Sequence, residues 1–173
     1  FFFKQKTAYE IPKRDWSSDV CSSDLSPSLV AVSRGGTSAA LLYAETHRIL
    51  LLAGLPHSPV VVGDMRLGPA DSAVSQMAVN DDGNLLIYAV GALGGGDALQ
   101  AWTASVGSRT LAAAGKVSAL AFDAAGNVLV ADASADEVFA ISDPVSAAAR
   151  RFLAGSAQGV SNSVGLEIGR AHV

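Results

Sequence analysis

Short apolar runs separated by turn residues fill residues 26–166, and three passages within them share one pattern. Each has an alanine, an apolar residue, a small polar residue, two variable residues and a glycine, then asparagine or threonine: 31–37, 78–84 and 121–127. A strand-length apolar run follows each passage. The pattern predicts a strand, a tight turn and a second strand, because glycine accepts a positive φ and the polar residue can hydrogen-bond the turn backbone. The predicted turn positions are Gly36, Gly83, Gly126, Asn84 and Asn127.

A second feature gives the period of the repeat. Val74, Val117 and Val160, each followed by serine, open successive repeats and lie 43 residues apart. Each hairpin is followed by two more predicted strands: 48–52 and 59–62, 98–103 and 109–113, 137–142 and 150–154. Four short strands in about 40–50 residues are typical of one β-propeller blade.

These repeats resemble the bacterial propeller repeats of the NHL, YVTN and WD-like groups. Residues 126–132, Gly-Asn-Val-Leu-Val-Ala-Asp, are similar to an NHL repeat, and residues 31–37 are similar to a YVTN repeat. No repeat carries the Trp-Asp pair of the eukaryotic WD type. The resemblance implies an all-β partial propeller with blades at about 26–64, 73–115 and 116–155 and the first strand of a fourth at 159–166.

The two ends of the chain can encode each other. If residues 19–25 are written with the codons GAC GTG TGC TCT TCC GAT CTC, the reverse complement translates as residues 167–173. Residues 4–11 and 15–25 also resemble a translated sequencing adapter. We therefore expect 1–25 and 167–173 to be non-native artefact and leave them out of the fold prediction. Cys21, the single cysteine, falls in this part, so no thiol chemistry is predicted.

Composition narrows the class of partner. The formal net charge is −4, and no basic stripe of the kind that binds nucleic acid is present. No apolar run approaches the roughly 20 residues of a membrane helix, so no membrane span is expected. Complete propellers have about 4–8 blades, so three blades leave apolar faces open. We expect the native partner of those faces to be further blades of the same chain.

Three clusters have the composition of ligand sites, but each is better interpreted as local structure. Residues 80–84, Asn-Asp-Asp-Gly-Asn, have oxygen ligands for calcium but lack the alternating spacing and distant carboxylate of a calcium loop. His47 and His57 flank a strand without a cysteine or carboxylate cluster, which is weak support for zinc. The glycine-rich run 91–96 lacks the Gly-Lys-Ser/Thr of a phosphate loop. No metal, cofactor or catalytic residue is predicted.

Asp132 is the best single candidate for a ligand contact. It directly follows a second strand, at an end of the blade where propellers often bind ligands. The leading hypothesis is a non-catalytic propeller module that serves as a scaffold for an unknown protein or small-molecule ligand, with a secreted or periplasmic location. The alternative is part of a propeller enzyme, a lactonase-like hydrolase or a quinoprotein-type dehydrogenase, since the fold does not decide function.

Overall fold

The computed structural model describes residues 26–69, 73–92, 94–146 and 148–161. Strands account for most of this part. They are β1 (Leu29–Val32), β2 (Ser38–Tyr43), β3 (Arg48–Ala53), β4 (Val60–Arg66), β5 (Val74–Val79), β6 (Leu85–Gly91), β7 (Asp97–Thr103), β8 (Gly107–Ala114), β9 (Val117–Phe122), β10 (Val128–Asp132), β11 (Glu137–Ser142) and β12 (Ala149–Gly155). Short 3₁₀ helices cover Ala44–Thr46 and Ser156–Gln158.

The strands form three four-stranded antiparallel sheets, in which each strand pairs with its neighbours along the chain. We call these sheets blade 1 (β1–β4), blade 2 (β5–β8) and blade 3 (β9–β12). Short turns suffice because every connection inside a blade joins adjacent antiparallel strands. The all-β partial propeller expected from the sequence is confirmed, since these are three consecutive blades of that fold.

The blades stack face to face, with blade 2 in the middle. Its side chains alternate between two cores because successive residues of a strand point to opposite faces. Toward blade 1 it presents Met77, Val79, Leu86, Tyr88, Val90 and Trp102. Toward blade 3 it presents Ala78, Leu85, Ile87, Ala89, Leu99 and Ala101. In β6 every residue from Leu85 to Val90 is buried, so this strand contributes to both cores.

Strand β5 contacts both β1 and β9, so the first strand of each blade lies on the inner side of the stack. Because the strands alternate in direction, the loops fall on two opposite faces. We call one the turn face: it carries the turns 33–37, 80–84 and 123–127 and the loop residues 54–59, 104–106, 143–146 and 148. The other, the connector face, carries residues 44–47, 92, 94–96 and 133–136 and the described residues between the blades.

The sequence prediction and the structure differ at β4. We predicted a strand over 59–62, whereas β4 runs from Val60 to Arg66. The cause is that Gly63 and Met65 point into the blade 1–blade 2 core while polar Asp64 and Arg66 face outward, an alternation that a scan for apolar runs overlooks. The predicted artefact segments and residues 162–166 of the predicted fourth blade lie outside the described residues. No helix of the described part is long and apolar enough to span a membrane.

Candidate functional site

The inner strands of the three blades enclose an axial groove of about 330 Å³. Each inner strand is the edge of its sheet, so its unpaired backbone N–H and C=O groups face the axis, while its side chains point toward the two faces of the sheet. Apart from Gln76 and Arg34, the lining residues are apolar: Leu29, Val30, Ala31, Val32, Met77, Ala78, Val79, Leu120, Ala121 and Phe122. Because backbone groups of the edge strands also line it, the exposed surface of the groove is about equally polar and apolar.

Arg34 lies at the turn-face end of this groove. It also lines a second cavity of about 210 Å³, whose other residues come from the turns of blades 2 and 3: Asn80, Asp81, Asp82, Phe122, Asp123, Ala124 and Gly126. Within the described part of the chain, the Arg34 guanidinium forms no hydrogen bond or ion pair. A guanidinium can bind an anionic group with two parallel hydrogen bonds. The carboxylates of Asp81, Asp82 and Asp123 line the same cavity, so an anion here has to approach Arg34 from the groove side.

Sequence reasoning missed Arg34. The turn repeat treats its position as variable, and only a comparison across the repeats distinguishes it: Asp81 and Ala124 occupy the same place in the other two turns. Arg34 is the one basic residue at this repeat position, and that difference could have identified it. That signal says nothing about the cavity, which forms only when the three blades stack.

Asp81 ties the first two turns together. Its carboxylate Oδ1 accepts a hydrogen bond from the Gly35 N–H at 2.6 Å. Its carbonyl oxygen accepts hydrogen bonds from Thr37 Oγ1 at 2.7 Å and from Ser38 Oγ at 2.8 Å. The backbone next to Arg34 is thereby fixed against blade 2, which limits the positions that the Arg34 side chain can sample.

The turn 80–84 uses its polar atoms on its own backbone. Asn80 Oδ1 accepts hydrogen bonds from the N–H groups of Asn84 and Leu85, and Asn80 Nδ2 donates to Asn84 Oδ1 at 2.7 Å. Gly83 has a φ of 69°, in the left-handed region that glycine accepts without strain. These contacts match the interpretation as a hairpin turn. Among the described residues, no group of three His, Cys, Asp or Glu side chains is placed to hold a metal ion.

The turn 123–127 of blade 3 is built in the same way. Asp123 Oδ1 accepts hydrogen bonds from the N–H groups of Ala125 and Asn127, and Asn127 Nδ2 donates to Asp123 Oδ2. Burial acts to raise the pKa of Asp123, but the hydrogen bonds from Asn127 and the turn backbone outweigh it and leave the pKa below its ordinary value. Gly126 and Gly36, with φ of 81° and 71°, complete the turns that the repeat predicted.

Asp132 lies on the connector face, at the opposite end of its blade from the turn that lines the Arg34 cavity. Its side chain is buried, and its carboxylate accepts hydrogen bonds from the N–H groups of Gly115, Lys116, Ser134 and Ala135 and from Ser134 Oγ. Burial acts to raise its pKa, but these hydrogen bonds lower it to about 2. Both carboxylate oxygens are thus used within the protein, and a ligand role for Asp132 stays a prediction.

The two histidines are not brought together. His47 ends the 3₁₀ helix on the connector face with a φ of 50°, and His57 lies in the loop 54–59 on the turn face. Both side chains are exposed. In the glycine-rich run, the Ala92 N–H donates to the Gly96 carbonyl oxygen at 3.0 Å, which closes a tight loop between β6 and β7.

Several solved structures are similar to this chain in fold. A chain of the nidogen/laminin complex is 17% identical with a TM-score of 0.56, over 84% of this chain and 54% of that chain. A putative 6-phosphogluconolactonase from Bacteroides fragilis is 10% identical with a TM-score of 0.54, over 82% and 41%. One from Bacteroides uniformis is 13% identical with a TM-score of 0.51, over 80% and 42%.

This chain spans about half, or less, of the length of these structures. No protein-family model matches it, and no curated protein matches its sequence. At identities this low, the similarity establishes a shared fold and leaves function to be argued from the site itself.

Proposed function

We propose that this chain is part of a non-catalytic β-propeller module that binds a partner on its turn face. The observation that carries the proposal is the axial groove of about 330 Å³, which is lined by apolar residues and backbone groups of the inner strands and bordered by Arg34. The Arg34 guanidinium has no hydrogen-bond or ion-pair partner among the described residues. Such a site suits an amphipathic anion, a molecule or protein segment that joins an apolar body to a carboxylate, phosphate or sulfonate.

Two features support binding without catalysis. Most repeated positions along the groove carry aliphatic side chains. In the neighbouring turns, Asn80 and Asp123 accept hydrogen bonds from their own turn backbone, and Asp81 accepts one from the Gly35 N–H. General acid–base catalysis needs a titratable group free to exchange a proton with the substrate. A similar fold also occurs in a protein–protein complex, that of nidogen and laminin.

Binding in the groove can be tested with 1-anilinonaphthalene-8-sulfonate, which joins a sulfonate to aromatic rings and fluoresces when its surroundings are apolar. We expect the Arg34→Gln variant to bind this probe about tenfold more weakly, since a charge-assisted hydrogen bond contributes about 1.5–3 kcal/mol. Arg66→Gln, which removes an exposed arginine of β4, is the matched control and should leave the affinity unchanged. Equal affinity in the Arg34→Gln variant and the unaltered chain would remove Arg34 from the site.

The second candidate is a lactonase-like hydrolase. Two putative 6-phosphogluconolactonases share the fold, and a phosphorylated sugar lactone carries the kind of anion that Arg34 can bind. The rate of acid release from 6-phosphogluconolactone, followed with a pH indicator, separates the candidates. A rate equal to the buffer rate supports the binding module, whereas protein-dependent turnover that disappears in the Arg34→Gln variant supports the hydrolase.

A further inference from the structure

A second apolar feature lies on the turn face away from the axis, where blades 2 and 3 meet. Its floor consists of Leu85, Ala101 and Pro144, all buried. Its two lips are Val106, which is 68% exposed, and Val145, which is 46% exposed. Thr103, Gly107 and Arg109 complete the lining. We call this feature the interblade crevice.

Arg109 places a positive charge beside the crevice, whose own exposed surface is almost wholly apolar. Its Nη2 donates to the Pro144 carbonyl oxygen at 2.7 Å, and its Nη1 donates to the Ser146 carbonyl oxygen at 3.5 Å. Its Nε is buried without a hydrogen-bond partner in the described part of the chain, and no described carboxylate forms an ion pair with the guanidinium. A buried donor without a partner and a charge without a counterion both cost free energy. This arrangement therefore favours a negatively charged hydrogen-bond acceptor, such as a carboxylate.

The dimensions of the crevice limit what enters it. It has about 10 Å³ of free volume, which is room for about one water molecule or one methyl group. The exposed valines above it extend the apolar surface outward. An occupant can therefore place the end of an aliphatic side chain between the valines, while a carboxylate beside that side chain approaches Arg109, a half-buried residue.

We propose that the interblade crevice is a docking point for a partner-protein segment that presents an aliphatic side chain next to a carboxylate. Apolar contact comes from Val106 and Val145, and charge complementarity comes from Arg109. The inference rests on the proposed function, the binding of a partner on the turn face. It adds a contact outside the axial groove, so that one partner lying on this face can engage both.

The test uses N-acetyl-leucine, which carries an isobutyl side chain and a free carboxylate, with ¹⁵N-labelled full-length chain. We expect saturable shifts of the backbone amide signals of 103–109, Asp143, Val145 and Ser146. N-acetyl-leucine amide, which lacks the charge, should bind at least fivefold more weakly. The double variant Val106→Ser/Val145→Ser should weaken N-acetyl-leucine binding about tenfold. Both valines are exposed, so these substitutions leave the cores intact.

Two further variants separate the crevice from the axial groove. The Arg109→Gln variant should bind N-acetyl-leucine and N-acetyl-leucine amide equally, whereas the Arg34→Gln variant should still bind N-acetyl-leucine more tightly. Shifts confined to 29–34 and 76–79 would overturn the crevice proposal and leave the axial proposal standing. Unchanged affinity in the double valine variant would also overturn the crevice. If Arg34→Gln binds 1-anilinonaphthalene-8-sulfonate as tightly as the unaltered chain does, while the N-acetyl-leucine results are as expected, the axial site is overturned and the crevice proposal stands.

Discussion

The carboxylate of Asp132 is the most heavily hydrogen-bonded side chain described here. Its donors come from two segments: Gly115 and Lys116 in the connector from blade 2 to blade 3, and Ser134 and Ala135 in the loop after β10. Gly115 lies so close that a Cβ there would meet Ser134 Oγ at 1.7 Å. Asp132 therefore holds the connector against blade 3, a structural role that its ligand prediction did not include.

Replacing Asp132 by Asn should destabilise the fold by about 2 kcal/mol, because an amide group directs N–H donors at backbone N–H groups and loses the charge. The expected fall in Tm is about 4–8 °C, measured by circular dichroism. Asp82→Asn, at an exposed turn carboxylate, is the matched control and should change Tm little. Equal Tm values for the two variants would contradict the structural role.

The same substitution should change the response to acid. The folded-state pKa of Asp132 is about 2, below its unfolded value, so its stabilising contribution is present above about pH 4. That contribution is lost as the pH falls toward 2. The stability difference between the unaltered chain and Asp132→Asn should therefore narrow over this interval.

For single residues, the sequence shows which side chains are unusual more readily than it shows what they contact. Asp132 stood out because it follows a strand, but its partners Gly115 and Lys116 are distant in sequence and reach it only through the fold. Arg34 did not stand out, because its importance depends on a cavity shared by three blades. The turn residues were easier to predict, because their contacts are local.

At the scale of strands, blades 1 and 2 meet closely at Gly63 of β4. A Cβ at this position would lie 2.8 Å from Trp102 Cη2 and 3.0 Å from Leu51 Cδ1. The absence of a side chain lets the outer strand of blade 1 approach the tryptophan of blade 2. A glycine inside a strand often marks such a close approach.

Gly63→Ala should therefore destabilise the chain by about 1–3 kcal/mol through overpacking. The midpoint of urea denaturation, followed by tryptophan fluorescence, measures the effect. Gly94→Ala is the matched control: a Cβ there would have no atom within 4 Å, so the midpoint should barely move. If both variants unfold at the same urea concentration, the close contact at Gly63 contributes nothing to the free energy of unfolding.

The strands could be predicted from alternation and turn chemistry, but the pairing register could not. Aligning Gly126 with Gly83 equates Val128 with Leu85. In the structure, Val128 pairs with Phe122 as Leu86 pairs with Val79, because the turn of blade 3 is one residue shorter. A one-residue difference reverses which face a side chain occupies, so stacking cannot be read from the repeat alone.

At the scale of the whole molecule, blade 1 has a face that points away from blade 2. Val30 and Val32 of β1 lie on it and are 50% and 61% exposed. They occupy the positions that Met77 and Val79 fill in blade 2, where a neighbouring blade covers them. Exposed apolar surface of this kind promotes association.

We expect the full chain to self-associate, with a weight-average sedimentation coefficient that rises with concentration. Val30→Ser/Val32→Ser should reduce this rise by removing apolar surface. Leu153→Ser, at an exposed leucine of β12, is the control and should have a smaller effect. If the unaltered chain sediments as a monomer at every concentration, this face of blade 1 does not drive self-association.

The double burial of β6 has a consequence for how the chain opens. Its amide hydrogens are protected by pairing with β5 and β7, and its side chains are covered by both neighbouring blades. Blades 1 and 3 can each open without exposing β6, because the β6 amides exchange with solvent only when β6 separates from β5 and β7, and this opening also disrupts the cores shared with both neighbouring blades. The slowest-exchanging amides should therefore be those of β6, and their exchange reports the opening of the whole array rather than of any single sheet.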